Sequence, residues 1–269
     1  MGSGQGQSTV NRYECKYFIS PQFIPQVRDF IRHFTVPDRY CQGTPPEYAI
    51  TTLQLDTPAF AFHNAKVDDY DARIKLRVRT YNEIGSAPVF AEIKGKFRDN
   101  VIKTRTVIPF SEWNSDLVYS TCAPTFFKSH QQELDFYKFR RIVWETQAHP
   151  SLLIRYIRES YIGQDGQYLR ITFDRQLEYC PYADWESFGV GKSWYPMDSA
   201  EMQNSATSNA ILEIKTLQDV PTWIIDMVQT FNLQRSGNCK YSTGIWSEAL
   251  FSPVAAPRES TLQFLAWST

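Results

Sequence analysis

One stretch constrains this chain more than any other: Ala72 to Tyr81, read as Ala-Arg-Ile-Lys-Leu-Arg-Val-Arg-Thr-Tyr. Alternate side chains of a β-strand point to opposite faces, so Arg73, Lys75, Arg77 and Arg79 share one face and Ile74, Leu76 and Val78 the other. The cations then stand roughly 6 to 7 Å apart along the strand. Strands on ordinary wet surfaces mix their signs; an unmixed row calls for a polyanion to balance it. Arg73 is the doubtful member, because it begins the strand.

The same design recurs along the chain. Asn11 to Ile19 sets Arg12, Glu14 and Lys16 against Tyr13, Cys15 and Tyr17. Val89 to Lys96 sets Glu92, Lys94 and Lys96 against Val89, Ala91 and Ile93, and the turn at Asn82 to Ser86 makes it a hairpin partner of the cationic strand. After a turn at Arg98 to Asn100, Val101 to Ile108 carries Lys103 and Arg105. Leu152 to Tyr161 alternates Tyr156 and Arg158 with Arg155 and Ile157. Tyr168 to Phe173 carries Arg170, followed by Asp174, and Ala210 to Thr216 carries Glu213 and Lys215. Between the strands, helical spacing predicts helices after Ser20-Pro21, over Glu133 to Gln147 with Pro150 as its stop, and after Pro221, the last major helix. Tyr179 to Ser208 reads as a long loop, and Arg235 to Ser242 as a turn and short strand with Lys240 near its centre.

Composition decides what the cations are for. The chain has 28 Lys and Arg against 29 Asp and Glu, so its overall field attracts neither nucleic acid nor an acidic membrane, and any basic site is made by local placement. Five widely spaced cysteines without a CxxC pair fit a reducing compartment rather than a disulfide framework or a zinc site. No apolar run reaches the roughly 18 to 20 residues that span a bilayer. A cytoplasmic protein is the expectation. His33, His63, His130 and His149 lack metal spacing and receive no role. No Walker loop, GxGxxG, HExxH or GxSxG is present. Charged strand faces backed by apolar ones suit either an antiparallel sheet with one wet side or a closed barrel with a polar lumen and helices covering its exterior. The cationic bias favours the barrel.

Eight motifs in order then resemble the VTC domain, the polyphosphate polymerase branch of the triphosphate tunnel metalloenzymes: Arg12 to Tyr17, Ile74 to Tyr81, Ala91 to Lys94, Lys103 to Arg105, Arg155 to Arg158, Leu169 to Asp174, Leu212 to Lys215 and Cys239 to Ser242. The resemblance implies a mainly β (α+β) fold, a closed antiparallel eight-stranded β-tunnel with helices packed on its exterior. It runs from about Asn11 to Ile245, which implies a domain over 11–250 between a leader at 1–10 and a tail at 251–269. It also implies synthesis of inorganic polyphosphate from ATP with release of ADP. Lys75, Arg77, Arg79, Lys94 and Arg158 are then the expected catalytic cations. Lys16, Lys103, Arg105, Tyr156, Arg170, Lys215 and Lys240 are the expected substrate contacts, although a strand tyrosine such as Tyr156 also serves packing. Glu213 is the expected ligand of a divalent Mn²⁺ or Mg²⁺ ion, while Glu14, Glu92 and Asp174 either assist or pair with neighbouring cations. Expected partners are ATP and polyphosphate, with no nucleic acid and with room for a membrane-protein partner; oligomeric state is left open. A triphosphate hydrolase of the same fold and a non-catalytic polyphosphate or nucleotide sensor are the alternatives. Arg12 stands where hydrolase and cyclase relatives carry an acid, which favours polymerisation, and Cys239 stands where related chains have serine. Removing Arg77 or Arg158 is expected to abolish turnover at little cost in stability.

Overall fold

The computed structural model describes residues 12–97, 100–164, 166, 168–203, 208–217 and 219–251. The expected leader, and the tail beyond Phe251, lie outside these, as does most of the turn at Arg98 to Asn100. In chain order the described elements are β1 (Arg12–Ile19), α1 (Ile24–Ile31), β2 (Thr35–Pro37), β3 (Glu47–Asp56), α2 (Ala61–Val67), β4 (Ala72–Tyr81), β5 (Val89–Phe97) and β6 (Asn100–Ile108). There follow α3 (Ser115–Tyr119), α4 (His130–Thr146), β7 (His149–Gly163), β8 (Arg170–Cys180), β9 (Tyr195–Pro196), β10 (Ala210–Leu217), α5 (Thr222–Thr230) and α6 (Lys240–Phe251).

Strand order is β1-β10-β8-β7-β3-β4-β5-β6, with β2 on β7 and β9 on β8. The registered pairs are antiparallel. The fold is thus mainly β, antiparallel, with several helices. Hydrogen bonds leave the path open: among the described residues no ladder joins β6 to β1, so the pairing itself does not close the expected tunnel.

The chain divides into two compact units. The first comprises residues up to Tyr48, Arg158–Arg175 and Ser199–Asn238. Its core is the dry face of β1, β10 and β8 (Tyr17, Ile19, Leu212, Ile214, Ile171, Phe173) covered by Ile24, Val27 and Ile31 of α1 and Ile224 and Met227 of α5. The second comprises Ala49–Ile157, Gln176–Asp198 and Cys239 onward. There Leu76, Val78, Ala91 and Ile93 of β4 and β5 pack with Phe136, Phe139 and Val143 of α4. In both units period-two strands meet period-3.6 helices through their apolar sides, the arrangement that buries most apolar area for such patterns.

Local chemistry explains where elements differ from the sequence expectations. Ser20 makes no side-chain cap, and Pro21–Phe23 form a 3₁₀ turn, leaving α1 only eight residues long. Ser129 caps α4, accepting from the Gln132 N–H, and Gln147 ends it in the left-handed conformation. Pro150 therefore does not stop that helix; it lies inside β7. The strand before the long loop runs on to Cys180. The segment from Arg235 to Ser242 is not a strand: Arg235 makes an isolated bridge to Tyr17, and Lys240 starts a twelve-residue helix after α5. No described helix is long and apolar enough to cross a membrane.

Candidate functional site

In the second unit, register turns three alternating strands into rungs of a cationic face. Lys75 pairs with Lys94, and Lys94 with Lys103; the next rung is Arg77, Glu92 and Arg105. Adjacent strands lie about 4.8 Å apart, so three lysines stand abreast across β4, β5 and β6. Arg79 follows, opposite Phe90. Arg77 Nε donates to Glu92 Oε2 at 2.6 Å, and Arg105 Nε lies 3.4 Å from Glu92 Oε1. Burial pushes the Glu92 carboxyl up, but the charges of Arg77, Arg79 and Arg105 outweigh it and hold it below its ordinary value. Glu92 is thus a spacer between arginines. Arg105 stands over the Phe90 ring, its Cζ 3.8 Å from the centroid, and donates to the Tyr81 hydroxyl at 3.1 Å. The ring contact and the hydrogen bond hold the guanidinium while 45% of its side chain stays exposed.

α6 contributes from its first residue. Lys240 Nζ sits 4.8 Å above the ring of Tyr156, which is 5% exposed, so Tyr156 has a cation over its face as well as packing around it. Just before the helix, Cys239 Sγ is 3.1 Å from Lys75 Nζ. Arg73 turns to Asp69 at the strand's start, and Arg155 pairs with Glu178 at 2.6 Å beneath Trp194. Neither belongs to the rungs.

The first unit has its own polar face. Glu14 opposes Lys215, which opposes Arg170; the neighbouring rung is Lys16, Glu213 and Thr172. Glu213 pairs with Lys215 and lies 3.7 Å from Lys16, while Lys16 lies 3.1 Å from Glu14. Arg158 grips Asp174 with two hydrogen bonds, 2.6 and 2.7 Å, and Asp174 is wholly buried. Arg170 donates to Asp38 at 2.7 Å, beside the Ser160 and Tyr48 hydroxyls.

Among the described residues no three His, Cys, Asp or Glu side chains gather to hold a metal by themselves. A hard cation that keeps waters and phosphate oxygens in its shell needs only one or two carboxylates. Glu213, 6% exposed, fits that need. Thr172, opposite it in register, has a buried hydroxyl with no hydrogen-bond partner among the described residues.

Two groups escaped the sequence reading. Asp38 precedes no periodic element, and nothing in its neighbours marks it as the partner of Arg170. Asp56 is wholly buried, accepting from the N–H groups of Thr57, Phe62 and His63 and from the Tyr241 hydroxyl at 2.9 Å. Thr57-Pro58 signals only a break there, while the carboxylate tethers α2 and α6. His63, which α2 buries completely, finds no hydrogen-bond partner for either ring nitrogen among the described residues. Burial lowers its pKa to about 4, and the nearby Lys75 adds to the fall.

Stacked rungs of Lys and Arg concentrate positive charge on one strand face of a mainly β, antiparallel protein. The family model for the VTC domain matches residues 11–248, and the chain belongs to the VTC domain family. That membership is consistent with a polyphosphate-related, phosphotransferase-type role. No curated protein matches. Among solved structures, one that matches is the "Structure of PH1819 protein from Pyrococcus Horikoshii OT3", 12% identical, covering 88% of this chain and 98% of that one at a TM-score of 0.43.

Proposed function

We propose that this chain is a polyphosphate polymerase that transfers the γ-phosphate of ATP to a growing inorganic polyphosphate chain. An oxygen of the chain's terminal phosphate attacks the γ-phosphorus, the bond from that phosphorus to the β–γ bridging oxygen breaks, and ADP leaves with the electron pair. The attacking oxygen is already anionic, so no strong base is needed, and positioning with charge stabilisation supplies the catalysis. The observation that carries this reading is the pair of rungs Lys75–Lys94–Lys103 and Arg77–Glu92–Arg105.

Lys75, Arg77, Arg79 and Lys94, with Arg158, bear on the transferring phosphate. Lys16, Lys103, Arg105, Tyr156, Arg170, Lys215 and Lys240 hold the nucleotide and the chain. Glu213 would hold a Mg²⁺ or Mn²⁺ ion, which would supply positive charge against the phosphates. Closure of the strands into a single-domain tunnel belongs to the same proposal, as do a cytoplasmic location and a membrane-protein partner that receives the product.

Purified protein given ATP with Mn²⁺ or Mg²⁺ is expected to release ADP and build long acid-labile phosphate chains. Free phosphate without polymer would make it a triphosphate hydrolase, and tight polyphosphate binding without turnover would make it a sensor. Glu213→Gln is expected to cut metal-dependent turnover at least tenfold while leaving metal-free ATP binding within about twofold; equal activity removes Glu213 from the metal.

A further inference from the structure

We propose that Cys239 is a positioning residue whose sulfur serves as the resident counter-anion of Lys75, and that a phosphate group entering the lysine rung displaces it. The inference rests on the polyphosphate reading and goes beyond it by coupling anion binding to a proton.

Three cations face one another across the lysine rung. Lys75, Lys94 and Lys103 oppose one another directly, an arrangement that destabilises paired strands, whereas the neighbouring rung includes Glu92. Among the described residues, the group that reaches Lys75 at hydrogen-bond distance is the Cys239 sulfur, 3.1 Å away and 164 residues further along the chain. Burial pushes the Cys239 thiol up, but the Lys75 charge and hydrogen bonds from the Ser242 hydroxyl and N–H outweigh it and bring the pKa down to about 6. Of the other titratable groups nearby, Asp56 of β3 has its carboxyl pushed up by burial against the pull of its N–H and Tyr241 donors. Tyr241 of α6 is held between Ser151 of β7 and Asp56 of β3, with its pKa pushed up by burial and by Asp56. His63 of α2 is neutral at pH 7. At that pH the Cys239 sulfur is therefore a thiolate beside Lys75. A phosphate group outcompetes a sulfur for the ammonium because it brings more charge and better acceptors. The thiolate left among anions then takes up a proton.

Tripolyphosphate is the probe. Its affinity for the wild type is expected to fall by up to about tenfold per pH unit between pH 6 and 8, relative to Cys239→Ser, which keeps an acceptor at the helix start but carries no charge. Calorimetry at pH 7 in buffers of different ionisation enthalpy should show proton uptake by the wild type in excess of the serine variant. Alkylation of Cys239 by iodoacetamide, followed by peptide mass spectrometry, gives a test on the unsubstituted chain: the pH midpoint of the rate should lie near 6 and rise when tripolyphosphate is present. Steric shielding alone would slow the reaction without moving the midpoint.

A shared pH slope for both proteins, or a midpoint that tripolyphosphate leaves in place, overturns the proposal even if ATP is polymerised. Absence of polymerisation with the pH-linked binding intact overturns the enzymatic reading and leaves this one standing. If neither protein binds tripolyphosphate, both fall.

Discussion

Arg158 donates two hydrogen bonds to Asp174, a carboxylate with no exposure to solvent. That pairing revises the expectation that Arg158 can be removed at little cost. Arg158→Ala leaves a buried charge without its partner, and a loss of about 3–5 kcal/mol in chemical denaturation is expected. Asp174→Asn in the same chain should restore much of it; a small loss in the single variant would show that water reaches Asp174. Arg77 differs, since its partner Glu92 also touches Arg105. The rung residues Lys75, Arg77, Lys94, Lys103 and Arg105 were legible because period two places them without any knowledge of the partners. Cys239 beside Lys75 was not, since nothing local marks two residues that tertiary packing alone brings together.

At the scale of elements, strands were easier to read than helix starts. β4 and β5 follow the expected hairpin because alternation and the turn at Asn82 agree. The start of α6 carries cysteine in place of the usual Ser, Thr, Asp or Asn cap, so Arg235 to Ser242 resembled a strand. α2 escaped for a related reason: Asp56, several residues upstream, accepts its first N–H groups. Within α6, Gly244 permits a close approach to β7: a Cβ there would lie 2.4 Å from Leu152 Cδ2, and Leu152 is 1% exposed. Gly244→Ala gains about 1 kcal/mol of helix propensity and meets overpacking of about 1–3 kcal/mol, so a net loss of up to about 2 kcal/mol is expected. Gly237→Ala, with open space around it, serves as the control in thermal denaturation. If Gly244→Ala proves more stable than wild type, α6 has room to move away from β7.

For the whole molecule, a net charge of -1 conceals strongly segregated charge, which composition alone could not locate. Alternation marked which faces are dry, but not the strand order, since every strand of this design has the same faces to offer. Acid should unfold the protein in a definite sequence. His63, ordinarily near pKa 6.5, has about 4 in the fold, so its contribution is whole above pH 6.5 and drains as pH falls toward 4. About 2 kcal/mol should be lost between pH 7 and pH 5, measurably less in His63→Phe. The Glu92 contribution goes later, as pH falls through its lowered pKa below the ordinary carboxylate range. If His63→Phe keeps the full acid dependence, another group carries it.

His63 also offers a reading that needs no titration. A neutral imidazole ordinarily rests as one tautomer because a hydrogen bond to one nitrogen selects it. With neither nitrogen held among the described residues, no hydrogen bond overrides the intrinsic preference of the His63 ring for Nε2–H. Its two ¹⁵N resonances should be separated as in a free neutral imidazole that favours Nε2–H, and any water admitted beside Tyr241 and Trp246 would change that separation, making the ring a native gauge of dryness in this part of the core.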